Sequence, residues 1–255
     1  MTDRILLASD FDSTLCHWPQ GIVDDRDRAA IRRFREAGNR FAVVTGRTYH
    51  NALWGFDGTD FHDMDACFCL SGALCFDSNG KVIYDRRADG AALSDIIDYF
   101  RRTGARYLAY DIGTESGFID IGGDPDFPPT VSADEARRFE SFTSLNAGYP
   151  DADTAKERAA EIGRLFGNVL TPLQNNIAID MPPAGVNKAY AASYAAEMFG
   201  IARERVYTAG DNYNDISMVA EFHGCAMEYG PQELLCVAER KISLLYEIID
   251  DIMQN

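Results

Sequence analysis

Four short segments of the chain carry the residue types that phosphate chemistry requires. In chain order they are Asp10-Phe11-Asp12-Ser13-Thr14, Val43-Val44-Thr45-Gly46-Arg47, Lys188 at the start of a helix pattern, and Gly210-Asp211-Asn212-Tyr213-Asn214-Asp215. Together they supply two carboxylates two residues apart, a hydroxyl, an ammonium group and an acidic cluster. A carboxylate can attack phosphorus and form a covalent intermediate, and the oxygens of the acidic cluster suit Mg²⁺. The set therefore predicts a magnesium-dependent phosphoryl-transfer enzyme that works through an aspartyl-phosphate.

The pair Asp10 and Asp12 differs from similar pairs in what precedes it. Asp-x-Asp also occurs at 25/27, 63/65, 124/126 and 151/153, but only the first pair directly follows an apolar run, residues 5–9, typical of a buried strand. Binding sites of open α/β sheets lie at the carboxyl ends of their strands. Asp10 is therefore the predicted nucleophile, and Asp12 is the predicted general acid that protonates the leaving oxygen.

Two carboxylates and a phosphate dianion repel one another, so the site needs a cation. The predicted metal ligands are Asp10, Asp12 (through its carbonyl oxygen), Asp211 and Asp215, and Asp215 either binds the ion or holds its water molecules. Mg²⁺ is the predicted cofactor. Gly210 would let the backbone turn before this segment, for which an Asx-rich turn is the alternative interpretation.

The predicted phosphate ligands lie in the remaining positions. Thr45 and Gly46 follow a second buried-strand pattern, where a hydroxyl and exposed N–H groups can hold the oxygens that are not transferred. Lys188 would neutralise charge near the phosphate, and Asn214 would donate to a phosphate oxygen or position Lys188. Arg47 has two interpretations, binding of phosphate or another substrate oxygen, or a surface ion pair.

Composition limits the possible partners. The 255 residues carry a formal net charge of −16 and are 46% hydrophobic, which is typical of a folded chain with a buried core. Nucleic acid needs a basic patch, so the predicted partner is a small phosphorylated metabolite and no nucleic acid. No apolar run approaches the roughly 20 residues of a membrane span. We therefore expect no membrane partner. The sequence leaves open whether the protein is a monomer or a homodimer.

The six cysteines could indicate a metal site or disulfides. Cys67 and Cys69 share one face of a predicted strand, but no second Cys or His pair lies at zinc-site spacing. We interpret the cysteines as buried, reduced thiols, in agreement with a cytoplasmic location.

The element patterns predict two domains. In residues 1–85 and 184–255, strand and helix patterns alternate, which indicates an α/β core with a Rossmann-like doubly wound parallel sheet. Residues 86–183 form the predicted inserted α+β cap domain with an open antiparallel sheet. The cap pattern includes a helix near 133–142 and a strand near 168–171, and a last core helix is predicted at about 240–253.

The four segments, in this order and at strand ends, resemble motifs one to four of the haloacid dehalogenase (HAD) superfamily. The resemblance implies Asp10 as nucleophile, Asp12 as general acid and base, Thr45 and Lys188 as phosphate ligands, and Asp211 as a magnesium ligand. The second aspartate is similar to that of the phosphatase and phosphomutase branch. A middle segment placed between the second and third motifs resembles the Cof-type (IIB) group.

Three residues depart from the patterns of these groups. Ser13 stands where the superfamily usually has Gly, and serine tolerates fewer backbone conformations. Ser71 replaces the Asn of the Cof-type Asn-Gly-Ala segment, and Ala189 stands where that group often has Gly. We expect a slightly altered turn after Asp12 and retained activity.

The expected function is hydrolysis of a small phosphomonoester, in particular a sugar phosphate. One alternative is a phosphomutase of the phosphomannomutase type, in which a sugar hydroxyl instead of water accepts the phosphoryl group. Another is a catalytically silent phosphosugar-binding protein. The middle domain is expected to exclude water and to supply the contacts that select the substrate.

Overall fold

A computed structural model describes residues 4–254. The strands in this part of the chain are β1 Leu6–Ser9, β2 Cys16–His17, β3 Ile22–Val23, β4 Arg40–Val44, β5 Ala66–Cys69, β6 Leu74–Asp77, β7 Val82–Asp85, β8 Ala88–Asp89, β9 Tyr107–Ile112, β10 Glu115–Ile119, β11 Ser141–Phe142, β12 Ser144–Gly148, β13 Leu173–Asn175, β14 Ala178–Met181, β15 Val206–Gly210, β16 His223–Met227 and β17 Arg240–Ile242. The α-helices are α1 Asp25–Glu36, α2 Tyr49–Thr59, α3 Leu93–Thr103, α4 Ala133–Ala136, α5 Ala152–Phe166, α6 Lys188–Phe199, α7 Ile216–Glu221, α8 Gln232–Val237 and α9 Tyr246–Gln254.

The chain divides into two compact units. The core unit consists of the described residues up to Tyr84 and from Lys188 onward, and the cap unit spans Asp85–Asn187. From the sequence we placed these boundaries at 85/86 and 183/184. Each unit has an apolar core of its own.

The core unit is built on an eight-stranded sheet in the order β17-β16-β15-β1-β4-β5-β6-β7. The strands from β17 to β5 in that order are parallel, and β6 runs antiparallel to β5. Strand β1 is completely buried at the centre of the sheet, as its continuous apolar pattern predicts. Small residues of α6 pack with Leu6 and Ala8 of β1 in one apolar cluster. The predicted α/β class with a Rossmann-like parallel sheet is confirmed.

The cap unit contains a five-stranded antiparallel sheet in the order β10-β9-β12-β14-β13. Alternate residues such as Leu108, Leu145 and Ile179 pack with residues of α3 and α5 in the apolar core of this unit. The intervening positions of the same strands include polar residues such as Asp111, which has Ser144 and Ser116 as cross-strand neighbours. The predicted α+β cap with an antiparallel sheet is thereby confirmed.

Two predictions within the cap unit are wrong. The helix expected at 133–142 ends at Ala136, because the chain then extends to pair β11 with β8 and to bury Phe142 in the cap core. Residues 168–171 are not a strand, and the edge strand is instead Leu173–Asn175, paired with β14. Strand β12, in the middle of the sheet, has the sequence Ser-Leu-Asn-Ala-Gly and no marked β propensity.

The last helix begins later than its apolar pattern suggested. Residues 240–242 form the edge strand β17, in which Arg240 pairs with Cys225 of β16. The Glu247 carboxylate accepts hydrogen bonds from the main-chain N–H groups of Ser243 and Leu244, both at 3.1 Å. These bonds satisfy N–H groups just before α9, whose start at Tyr246 corrects the predicted start near 240.

Candidate active site

Three neighbouring strands bring the separated sequence segments to one edge of the core sheet. Strand β1 lies between β15 and β4. Asp10 directly follows β1, Thr45 directly follows β4 and Asp211 directly follows β15. Since these strands are parallel, their carboxyl ends share one edge. The Asp10 N–H donates to the carbonyl of Ala209 at 2.9 Å, which fixes the first loop against the last.

Lys188 is a buried ammonium group at the first residue of α6. Its side chain is 1% exposed, and Nζ lies 2.6 Å from Asp10 Oδ1 and 2.5 Å from Asp215 Oδ1. Burial by itself lowers the pKa of a lysine, but the carboxylates of Asp10 and Asp215 outweigh burial, so the pKa of Lys188 lies above its usual value. The side chain therefore stays charged and contributes a fixed positive charge.

The carboxylates of Asp10, Asp211 and Asp215 form a compact acidic cluster. One oxygen from each lies within 4.8 Å of the others. Burial, followed by the charge of Asp215, raises the pKa of Asp211 to about 6. Burial also raises the pKa of Asp10 well above its usual value, although Lys188 acts in the opposite direction. Three carboxylates face a single ammonium group, and this excess of hard, anionic oxygen donors fits a divalent cation such as Mg²⁺.

The acidic loop is shaped by a close contact between Gly210 and Asp215. A Cβ atom at Gly210 would lie 2.4 Å from Cβ of Asp215, so no other residue fits at this position without moving the aspartate. Asp215 Oδ2 accepts hydrogen bonds from the N–H groups of Asp211 at 3.1 Å and Asn212 at 2.9 Å. Asn214 is 7% exposed, and its side-chain oxygen has no hydrogen-bond partner among residues 4–254. That oxygen can therefore still accept a hydrogen bond from a bound group.

Asp12 lies outside the acidic cluster, and its carboxylate is held by Arg47 and Trp18. Arg47 donates from Nε to Oδ2 at 2.8 Å and from Nη2 to Oδ1 at 2.7 Å, while Trp18 Nε1 donates to Oδ1 at 3.1 Å. The remaining Arg47 nitrogen, Nη1, donates to the carbonyl of Asn51 at 2.9 Å, and the guanidinium lies 4.8 Å from the ring centre of Phe11. The structure thus places Arg47 at the predicted general acid.

The loop after β4 presents the hydroxyl of Thr45, which is buried. Its Oγ1 accepts from the N–H of Arg47 at 3.1 Å, with the half-buried Gly46 between them. The carbonyl of Thr45 accepts from the N–H of Ser71 at 2.9 Å. Ser71 has φ of 55°, in the left-handed region, and its buried hydroxyl has no hydrogen-bond partner in the described chain. Strain of this kind is concentrated at functional loops.

Three contributors to the site were not assigned from the sequence. Thr14 donates from Oγ1 to Asp211 Oδ1 at 3.1 Å, and its place in the first motif was the available signal. The Tyr229 hydroxyl donates to the carbonyl of Ser13, which has φ of 64°. Tyr229 and Trp18 carry no local signal, since each reaches the site from a loop or hairpin whose path only the fold defines.

Residues 7–243 match the model of the haloacid dehalogenase-like hydrolase family. The chain belongs to this family. The resemblance to the superfamily that the sequence showed is therefore confirmed. The prediction of a phosphatase-type enzyme is confirmed as well, since similar proteins include phosphatases.

Similar proteins agree with this membership of the haloacid dehalogenase-like hydrolases. The 5-amino-6-(5-phospho-D-ribitylamino)uracil phosphatase YcsE of Bacillus subtilis is 24% identical over 221 residues, 86% of this chain and 81% of YcsE. The structure of a HAD/COF-like hydrolase from Plasmodium vivax has a TM-score of 0.81 at 19% identity, and the match covers 99% of this chain and 96% of the Plasmodium chain. The structure of the subclass IIB sugar phosphatase BT4131 has a TM-score of 0.81 at 19% identity, and the match covers 98% of this chain and 99% of BT4131. These structural likenesses show the fold of the Cof-type group.

Two further observations on this HAD-like hydrolase concern membrane-spanning helices and the cysteines. Within residues 4–254, no helix combines the length and the apolar character that a bilayer crossing demands. All six cysteines are free thiols, and five of them are buried, but Cys236 is exposed, so the interpretation as buried thiols is wrong for that residue. Cys67 and Cys69 lie together on one face of β5 with their sulfur atoms 3.8 Å apart, in agreement with the interpretation as packed thiols.

Proposed function

We propose that this HAD-like hydrolase is a Mg²⁺-dependent phosphatase that cleaves a small phosphomonoester through an aspartyl-phosphate at Asp10. The observation that carries the proposal is the buried ammonium of Lys188 between the carboxylates of Asp10 and Asp215, next to that of Asp211. A nucleophilic carboxylate, a fixed cation and a group of metal-binding oxygens are the parts that transfer of a dianionic phosphoryl group needs.

The proposed reaction has two steps. A carboxylate oxygen of Asp10 attacks phosphorus, the bond from phosphorus to the ester oxygen breaks, and Asp12 gives a proton to the departing oxygen. Asp12 then takes a proton from water as the water oxygen attacks the phosphorus of the acyl phosphate, which frees phosphate and restores Asp10. When bound, Mg²⁺ would be held by Asp10, Asp211, Asp215 and the Asp12 carbonyl, and would neutralise charge on the phosphoryl oxygens.

The proposed phosphate ligands belong to the same core unit as Asp10. Lys188 offsets the charge of Asp10 and of the incoming anion. The hydroxyl of Thr45, the N–H groups around Gly46 and the amide of Asn214 are proposed to hold the oxygens that stay on phosphorus. The unpartnered atom of Asn214 is its acceptor oxygen, so the proposed contact with a phosphate oxygen would be made by its NH₂ group.

The proposed substrate class is a phosphorylated sugar or a related polyol. BT4131 is a sugar phosphatase, and YcsE acts on a ribitylamino phosphate, so similar proteins act on small phosphomonoesters with hydroxylated carbon chains. The net charge of −16 repels anions at long range, which favours a small ligand bound through local groups over a polyanion.

The test is release of phosphate from a panel of sugar phosphates in Mg²⁺, by the wild type and by Asp10→Asn. We expect turnover by the wild type, loss of at least a thousandfold in Asp10→Asn, and a hydroxylamine-sensitive acyl phosphate trapped from labelled substrate. Turnover retained in Asp10→Asn would reject the covalent mechanism. Isomerised monophosphate from a hexose bisphosphate without free phosphate would favour the phosphomutase, and tight binding without either product would favour the silent binding protein.

A further inference from the structure

Asp12 presents two unequal oxygens. Its Oδ1 accepts two hydrogen bonds, from Arg47 Nη2 at 2.7 Å and from Trp18 Nε1 at 3.1 Å, while Oδ2 accepts one, from Arg47 Nε at 2.8 Å. Each oxygen of an ionised carboxylate offers about two lone-pair directions to donors. Oδ1 is therefore fully used, and Oδ2 retains one direction for a further partner.

We propose that Trp18 is a positioning residue that assigns proton transfer to Oδ2 of Asp12. The inference rests on the proposed function, in which Asp12 exchanges a proton with the leaving oxygen and then with water. The indole N–H occupies the second direction on Oδ1, so the proton moves between Oδ2 and the ester oxygen. When the phosphorus–oxygen bond breaks, its electron pair stays on the ester oxygen, which takes the proton from Oδ2.

The backbone fixes Trp18 relative to Asp12 over a short distance in sequence. The chain after Asp12 enters the β2–β3 hairpin, in which the Cys16 N–H donates to the carbonyl of Phe11 at 2.7 Å and the Ser13 N–H donates to the carbonyl of Cys16 at 2.8 Å. Trp18 follows β2 directly. Gly21, with φ of 63°, lies so close to the indole that a Cβ atom there would be 3.3 Å from the ring. The hairpin thus holds the indole at a fixed position relative to Asp12.

Core packing does not account for the position of Trp18. The side chain is 49% exposed, whereas large apolar residues placed for packing are usually buried. Its polar atom instead points at a carboxylate. The second tryptophan of the chain, Trp54, is 68% exposed and lines the same recess of about 200 Å³, together with Trp18 and Arg47. No hydrogen bond joins Trp54 to Asp12 in the described chain, so Trp54 is a matched control.

The first experiment compares two esters that differ in their need for a proton. We expect Trp18→Phe to lower kcat/KM for a hexose 6-phosphate about tenfold, as loss of one hydrogen bond to a charged group implies. The same variant should change kcat/KM for p-nitrophenyl phosphate less than twofold, because nitrophenolate departs without protonation. The ratio kcat/KM reports the steps up to departure of the leaving group, and Trp54→Phe should change neither value by twofold.

The second experiment measures the contact without turnover or metal. The chain has two tryptophans, so Trp54→Phe leaves Trp18 as the sole indole emitter. Adding Asp12→Ala to this background removes the carboxylate, and we expect a shifted emission maximum of Trp18. An unchanged emission spectrum would overturn the contact, whether or not Trp18→Phe folds well enough for kinetics.

Three kinetic results would overturn the assignment. The first is an equal loss of kcat/KM on both esters in Trp18→Phe, which would indicate a merely structural role. The second is an unchanged kcat/KM for the hexose ester in Trp18→Phe. The third is a loss of kcat/KM in Trp54→Phe as large as that in Trp18→Phe. A wild-type protein inactive on both esters would instead reject the proposed function, and the assignment with it. The selective loss on the hexose ester, together with the emission shift, supports Trp18.

Discussion

Lys188 Nζ lies 2.6 Å from Asp10 Oδ1, although 178 positions separate the two residues in the sequence. The same nitrogen lies 2.5 Å from Asp215 Oδ1. One buried ammonium thus joins the first loop, the helix α6 and the acidic loop after β15. The contact links the stability of the core unit to the chemistry proposed for it, because each group compensates the burial of the others.

Replacement of Lys188 by Met should destabilise the core unit as well as abolish turnover. Removing one partner of a buried ion pair leaves uncompensated carboxylates and costs about 3–5 kcal/mol. We expect a loss of this order in the free energy of unfolding by urea at pH 8 without metal, and a partial recovery in the double variant with Asp215→Asn. Lys241→Met, at an exposed position of β17, is the control. A loss no greater than that of Lys241→Met would contradict the proposed coupling.

Arg47→Lys separates the two roles that the sequence allowed for Arg47. Lysine keeps the charge but loses the fork that contacts both oxygens of Asp12. If Arg47 positions Asp12, kcat for a sugar phosphate should fall about tenfold while KM stays within twofold. A rise in KM with constant kcat would indicate a phosphate ligand instead. Arg26→Lys, which alters a similar fork to Asp24 on the surface, should change neither constant.

Gly210→Ala should disrupt the acidic loop through steric overlap with Asp215. The new Cβ atom would lie 2.5 Å from Cγ of Asp215, which must then move away from Lys188. We expect a loss of about 1–3 kcal/mol in unfolding free energy, as for other overpacked sites, and at least a tenfold loss of activity. Gly58→Ala in α2 meets no atom within 4 Å and should keep full activity and gain up to about 1 kcal/mol. Similar behaviour of the two variants would refute the steric argument.

The buried carboxyl group of Asp111 in the cap unit should make the free energy of unfolding depend on pH in an unusual direction. The residue is 3% exposed. Burial, opposed by a hydrogen bond from Ser116 and reinforced by Asp180, raises its pKa to about 7. Between about pH 4 and pH 7 the folded state keeps a proton that the unfolded state loses, so the free energy of unfolding falls as the pH rises.

Asp111→Asn should remove this contribution, which amounts to about 2–4 kcal/mol over the whole interval. The variant should therefore gain stability relative to the wild type as the pH rises from 4.5 to 7.5, measured by urea unfolding. Asp126→Asn, at an exposed position of the same unit, should show a constant difference. A constant difference for Asp111→Asn as well would mean that the buried carboxyl is ionised throughout.

Mg²⁺ should stabilise the folded protein through the acidic cluster. A ligand that binds only the folded state adds about 2.7 kcal/mol at a hundredfold excess over its Kd. We expect the melting temperature to rise with added MgCl₂ and to return after EDTA. Asp211→Asn should remove most of this rise, while Asp57→Asn, on the surface of α2, should retain it. An equal rise in both variants would place the metal elsewhere.

The incorrect predictions within the cap unit show where sequence patterns do not predict the local structure. The helix pattern near 133–142 continues past Ala136, yet the chain turns there because burial of Phe142 and pairing with β8 outweigh local preference. Strand β12 has almost no β-forming residues and is held by neighbours on both sides. In both cases a tertiary contact overrides a weak local signal.

The sequence by itself determined the family, the α/β core with its inserted cap, and the strand ends at which Asp10, Thr45 and Asp211 stand. It could do so because a buried strand in a parallel sheet is a continuous apolar run, and the residue after that run lies at the binding edge wherever the other strands are placed. Family membership has been confirmed, whereas the roles of these residues remain predictions.

Only the tertiary structure decided which side chain meets which. The sequence allowed Arg47 to bind phosphate or another substrate oxygen, or to form a surface ion pair. The fold placed its guanidinium on Asp12, 35 positions away. Trp18 reaches Asp12 through a hairpin, and Tyr229 reaches Ser13 across 216 positions. The reason is that a side-chain contact depends on the relative placement of two elements to within an ångström, whereas a periodic pattern specifies each element alone.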